Sequence, residues 1–130
     1  MSEQVQVILD TMSKTLSLVT EAEKAQGSDE SSFKLFLWKA AAEAEFLAFQ
    51  ISTAYGLADY DLGGKSEENV DPTNPLEAAR SSLEEAKSSL KSDPKEAYRA
   101  SRKAVSILRT TYADIDKPSK QRVVPSPRNE

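Results

Sequence analysis

The chain of 130 residues contains no cysteine and no histidine, and each absence removes a class of chemistry. Without cysteine there is no disulfide framework, no thiolate zinc site and no cysteine nucleophile. Without histidine the commonest general base and the commonest transition-metal ligand are missing. No apolar run approaches the roughly 20 residues that a membrane span needs, and the first residues lack the basic flank of a signal peptide. We therefore expect a cytoplasmic protein that is not an enzyme, holds no cofactor and no metal, and does not associate with membranes.

Acidic and basic side chains are unevenly distributed along the chain. The net charge is −4, but residues 1–62 carry −6, residues 63–93 carry −3 and residues 94–130 carry +5. A basic end on an acidic protein indicates either a partner for that end or an outer helix face in contact with water.

Glycine and proline are scarce, and the apolar residues between them recur at helical spacing. We predict an all-α fold, a four-helix up-and-down bundle built from two antiparallel helical hairpins. A single domain covers residues 1–116, with one hairpin over 3–57, a loop over 58–75 and a second hairpin over 76–116. Residues 117–130 contain three prolines and few apolar groups, which predicts a disordered tail.

Capping residues predict where the helices begin and end. Gly27 fits the left-handed position that follows a helix. Asn74 followed by Pro75 is typical of a helix start, and Asp93 followed by Pro94 repeats that signal.

The second predicted helix is apolar on two opposite sides. One wide stripe, from Phe33 to Tyr55, fits the core of the bundle. The other, which we call the outer stripe, consists of Leu35, Trp38, Ala42, Phe46 and Phe49. A helix that is apolar on two sides has to be covered on both, so either it is the central helix or its second side meets another chain. Because the third helix is too short to cover all of it, we predict a homodimer or another protein partner, with the four large side chains of the outer stripe at the interface.

The fourth predicted helix has a basic face opposite its apolar stripe. This face consists of Lys95, Arg99, Arg102, Lys103 and Arg109. Such a face fits a phosphate backbone, but no aromatic residues lie between the basic ones to stack on bases, and the whole protein is acidic. Nucleic acid is therefore the alternative and less favoured partner, and a solvated outer face is the simplest interpretation.

An acidic segment after the second helix resembles the start of a calcium-binding EF-hand loop. Asp59, Asp61 and Gly64 match that pattern. Val70, however, stands where the loop needs its bidentate glutamate, so we predict no calcium site.

The stretch from Leu76 to Leu108 resembles a tetratricopeptide-type helical hairpin. Asp93 and Pro94 lie at the turn, and Ala97 and Ala104 stand where the two helices of such a hairpin approach closely. The resemblance implies a single helical hairpin, because one repeat does not form a solenoid.

The alanine-rich last helix is similar to that of HEPN-like small helical bundles. The ribonuclease members of that family carry an Arg-x4-6-His motif. Arg102 is followed by Ile107, Leu108 and Arg109 where the histidine would fall. The resemblance therefore implies a non-catalytic member that associates with nucleic acid.

Overall fold

The computed structural model describes residues 3–57 and 74–116, and every regular element in these ranges is an α-helix. The helices are α1 (Glu3–Ala25), α2 (Glu30–Tyr55), α3 (Pro75–Ser89) and α4 (Pro94–Asp116). The predicted all-α fold with four helices is confirmed. Most of the predicted loop, the EF-hand-like segment and the predicted disordered tail fall in residues 58–73 and 117–130, outside the described residues.

The helix ends follow the capping signals. Asp29, Asn74 and Asp93 each accept a hydrogen bond of 3.3–3.4 Å from the backbone N–H three residues later. Gly27 and Gly56 follow α1 and α2 with φ angles of 84° and 65°. Only glycine adopts this left-handed conformation without a steric penalty, so it ends a helix readily.

The four helices form a ring in which each one contacts two neighbours. α1 packs on α2, α2 on α4, α4 on α3, and α3 closes the ring against α1. Across the two diagonals, α1 with α4 and α2 with α3, no Cα atoms of the described residues come within 8 Å. The predicted packing of α1 on α2 and of α3 on α4 is therefore observed, and α2 and α3 lie at opposite corners.

Neighbouring helices in the ring are antiparallel. Short connections impose this direction within each hairpin. The start of α2 lies beside the end of α4, where the Lys34 ammonium is 5.9 Å from the centre of the Tyr112 ring. α2 and α3 consequently run in the same direction, so the chain order is up, down, down, up. This corrects the predicted up-and-down order, since only short connections force consecutive helices to alternate and the link between α2 and α3 is long.

The core is formed by the wide apolar stripe of α2 and the facing stripes of the other helices. Leu37, Leu47 and Ile51 of α2 are fully buried. Ala97 and Ala104 of α4 are fully buried as well, which fits the prediction that they permit close helix approach.

One ion pair joins the two helices that close the ring. The Arg80 guanidinium of α3 donates a 2.8 Å hydrogen bond to Thr20 Oγ1 and pairs with the Glu23 carboxylate, both on α1. About a third of each charged side chain is exposed, so the pair contributes only modestly to stability.

Two leucines on opposite sides of α2 provide a matched test of this packing. Leu37→Ala should lower the free energy of unfolding by about 2–5 kcal/mol, because it leaves a cavity in the core. Leu35→Ala, on the exposed side, should change it by less than about 0.5 kcal/mol. Urea denaturation measures both, at a concentration where light scattering shows a monomer. Equal losses for the two variants would contradict the assignment of the faces.

Candidate functional site

The outer stripe of α2 is exposed along its whole length. Leu35, Trp38, Phe46 and Phe49 keep 48%, 57%, 50% and 64% of their surface accessible, and Ala42 between them is exposed too. Isolated exposed apolar residues are ordinary, whereas a continuous row with three large aromatic rings is typical of a binding surface.

The stripe is uncovered because of where α2 lies in the ring. α1 and α4 pack against α2 and enclose its wide stripe, whereas α3 lies across the diagonal. The length of α3, which the sequence suggested as the limit on coverage, therefore has no bearing on the outer stripe. None of the other described helices covers this side of α2.

The apolar surface continues from α2 onto α1. Val7 of α1 is 50% exposed and lines a groove of about 590 Å³ together with Phe46 and Phe49. Gln50 lines the same groove, and its side-chain oxygen is shielded from solvent without a hydrogen-bond partner among the described residues. Sequence reasoning missed Val7 as a site residue, and its position off the buried face of α1 was the available signal.

Charged pairs border the outer stripe on both sides. On the α1 side, Lys14 Nζ lies 3.8 Å from a Glu43 carboxylate oxygen. On the α4 side, the Arg109 guanidinium pairs with the Glu45 carboxylate. An apolar centre inside a polar rim is the usual anatomy of a protein–protein interface.

The predicted basic face is on the outside of α4, but two of its three arginines are paired with carboxylates. Lys95, Arg99, Lys103 and Arg109 are exposed, and Arg102 is half-buried. Arg99 Nε lies 3.4 Å from Glu96, and Arg109 pairs with Glu45. Each pair lowers the positive potential that a phosphate backbone would meet. Nucleic-acid contact by these five residues stays a prediction.

Two acidic side chains meet near the turn that joins α3 to α4. A hydrogen bond with the Glu85 side chain raises the pKa of Glu96, and burial and the negative charge of Glu85 act in the same direction. Arg99 opposes the shift only in part. The neutral form of Glu96 is therefore favoured more in the folded chain than in the unfolded one.

Residues 3–57 and 74–116 contain neither a cluster of metal ligands nor a helix that could span a membrane. They contain no group of three or more acidic side chains placed to hold a metal ion. No helix in these ranges combines the length and the apolar character needed to cross a bilayer.

Comparison of the chain with protein-family models, with curated proteins and with solved structures finds no match. The resemblances to a tetratricopeptide-type hairpin and to HEPN-like bundles stay predictions.

Replacing Glu96 should change how stability depends on pH. A carboxyl whose pKa is raised by folding binds its proton more tightly in the folded state, so stability falls as pH rises from the unfolded pKa to the folded one. Glu96→Gln removes the charge. It should therefore raise the free energy of unfolding at pH values above the folded pKa and leave it unchanged at pH values below the unfolded pKa. The gain should be under about 1 kcal/mol, because both carboxyls are partly in water.

Urea denaturation at a series of pH values measures this effect. Glu85→Gln is the matched control, because it relieves the same repulsion from the other side. The free energy of unfolding of the double variant should then exceed that of either single variant only slightly. A change that is constant across the pH series would contradict a raised pKa of Glu96.

Proposed function

We propose that this chain is a non-enzymatic protein-interaction module of the cytoplasm that self-associates through the outer stripe of α2. The observation that carries the proposal is the row of four large apolar side chains, each about half exposed or more. Large aromatic residues supply most of the binding energy in protein interfaces, so Trp38, Phe46 and Phe49 are the proposed anchors.

The exposed apolar area is large enough to support association. An aromatic side chain buries 150–250 Å² in full, so with Leu35 and Val7 the patch offers roughly 400 Å² per chain. That is about half of the ~800 Å² that each partner contributes to a standard interface, so the flanking surfaces of α1 and α4 would supply the rest.

The polar surroundings of the stripe also favour a protein partner. Glu43 and Glu45 each have a basic side chain from the same chain beside them. A partner can therefore cover the apolar centre without leaving either of these carboxylates buried and unpaired, which would be costly.

Trp38→Glu should give a folded monomer, whereas the wild-type chain should be a dimer. A carboxylate in the centre of the patch would have to lose its hydration on association. Multi-angle light scattering over a concentration series measures the mass, and circular dichroism checks the fold. The matched control is Ser81→Glu, an exposed position on α3 at the opposite corner of the bundle, which should stay dimeric.

Trp38 is the only tryptophan, so its fluorescence provides an independent check. Emission from the wild-type chain should shift to shorter wavelength as concentration rises and water is excluded from the indole. Phe49→Glu should abolish the shift and Ser81→Glu should keep it. A wild-type chain that remains monomeric at all concentrations would overturn the proposal.

The alternative partner, nucleic acid, has less support, because Arg99 and Arg109 are paired with carboxylates. We expect no retention of RNA or DNA in a filter-binding titration at low salt. Retention that weakens steeply with salt, and further with Arg99→Ala and Arg102→Ala together, would favour the alternative.

A further inference from the structure

We infer that the occupant of the outer stripe is a second copy of this chain whose α2 lies antiparallel to the first, with Ala42 at the two-fold axis. The inference rests on the proposed self-association and adds its direction and register. Three observations on the exposed side of α2 carry it: the spacing of the large side chains, the small residue at their centre, and the position of the charges.

The large side chains are placed symmetrically about Ala42. Trp38 and Phe46 lie four residues before and after it, and Leu35 and Phe49 lie seven residues before and after it. The stripe therefore presents the same order of large and small side chains when its direction is reversed. A reversed copy centred on Ala42 brings Trp38 beside the partner's Phe46 and Leu35 beside the partner's Phe49.

The centre of the pattern is the place where two helices can approach most closely. Ala42 is exposed. Its side chain is a single methyl group, so the two helix axes can approach to the 8–10 Å that is usual for packed helices. At a two-fold axis this alanine meets its own copy, so the symmetric interface has the small residue where the space is smallest.

The charges beside the stripe favour the antiparallel direction. At 100° per residue, Lys39 and Glu43 lie on one flank of the stripe and Glu45 lies on the other. Their contacts agree, because Glu43 pairs with Lys14 of α1 and Glu45 with Arg109 of α4.

The two directions bring different charges together across the interface. In the antiparallel arrangement each Lys39 stands about 3 Å along the axis from the partner's Glu43, which gives two attractive pairs. The two copies of Glu43 also stand about 3 Å from each other along the axis, which gives one repulsive pair. In a parallel arrangement Glu43 stands equally close to the partner's Glu45, which is a repulsive pair. Complementary charges set orientation in helix pairs, so the antiparallel arrangement is preferred.

The absence of native cysteine makes the register directly measurable. Ala42→Cys should form a disulfide-linked dimer, because the two-fold axis brings the Cα atoms within the 4.4–6.8 Å that a disulfide requires. Ser31→Cys and Thr53→Cys lie eleven residues on either side of Ala42 at exposed polar positions, so they leave the stripe intact. A mixture of these two variants should be joined by a short bismaleimide, and Ser31→Cys alone should not, because its two copies lie about 33 Å apart along the axis.

The outcomes can be told apart when light scattering also measures the molecular mass of each variant. Linkage of Ala42→Cys and of the mixed pair, without linkage of Ser31→Cys to itself, supports the inference. Linkage of Ser31→Cys to itself indicates a parallel dimer, which overturns the inference and leaves the proposed function intact. A dimer that gives no linkage at any of these positions uses another face, and a monomer removes self-association altogether. Ser81→Cys, on the far corner of the bundle, controls for random collisions.

Discussion

The structure depends on α2, which has two apolar sides but packs against only two neighbouring helices. The helix spans 26 residues and is the longest in the described chain. α1 and α4 both pack on its wide stripe and bury Leu37, Leu47 and Ile51 completely. Covering the opposite side as well would require another helix, and none of the other three described helices packs there. The exposed aromatic row is thus a consequence of the architecture.

The order of helices around the ring decides which surface remains open. Because α3 follows α2 in the chain but lies diagonally across from it, α3 covers α4 and the edge of α1. Arg80 of α3 contacts Thr20 and Glu23 at that edge of α1. The arrangement leaves α2 at a corner with its outer stripe facing outward, flanked by α1 and α4 as a shallow platform.

Local signals in the sequence were sufficient for the helices and for the exposed row, because both depend on neighbours within a few turns. Asn74 and Gly27 set helix ends through their own backbone geometry, and helical periodicity alone separated Leu35 and Trp38 from the core stripe. Direction was not predictable, since the long connection before α3 leaves either end of the bundle accessible. Val7 also required the fold, because it joins the patch from another helix. The pair of Arg109 with Glu45 links positions 64 residues apart, which no local pattern reveals.

The pair of Arg109 with Glu45 bears on both functional interpretations of the sequence, protein interaction and nucleic-acid binding. Arg109 belongs to the basic face on which the less favoured nucleic-acid alternative rests, yet its guanidinium pairs with a carboxylate at the edge of the outer stripe. A guanidinium held by Glu45 has less charge to offer a phosphate, and it also neutralises an acidic group that would otherwise stand unpaired beside an apolar interface. The same contact therefore lowers the positive charge of the basic face and leaves the Glu45 edge of α2 without an unpaired carboxylate. Charge on α4 and apolar surface on α2 therefore meet at one edge, where Arg109 and Glu45 neutralise each other.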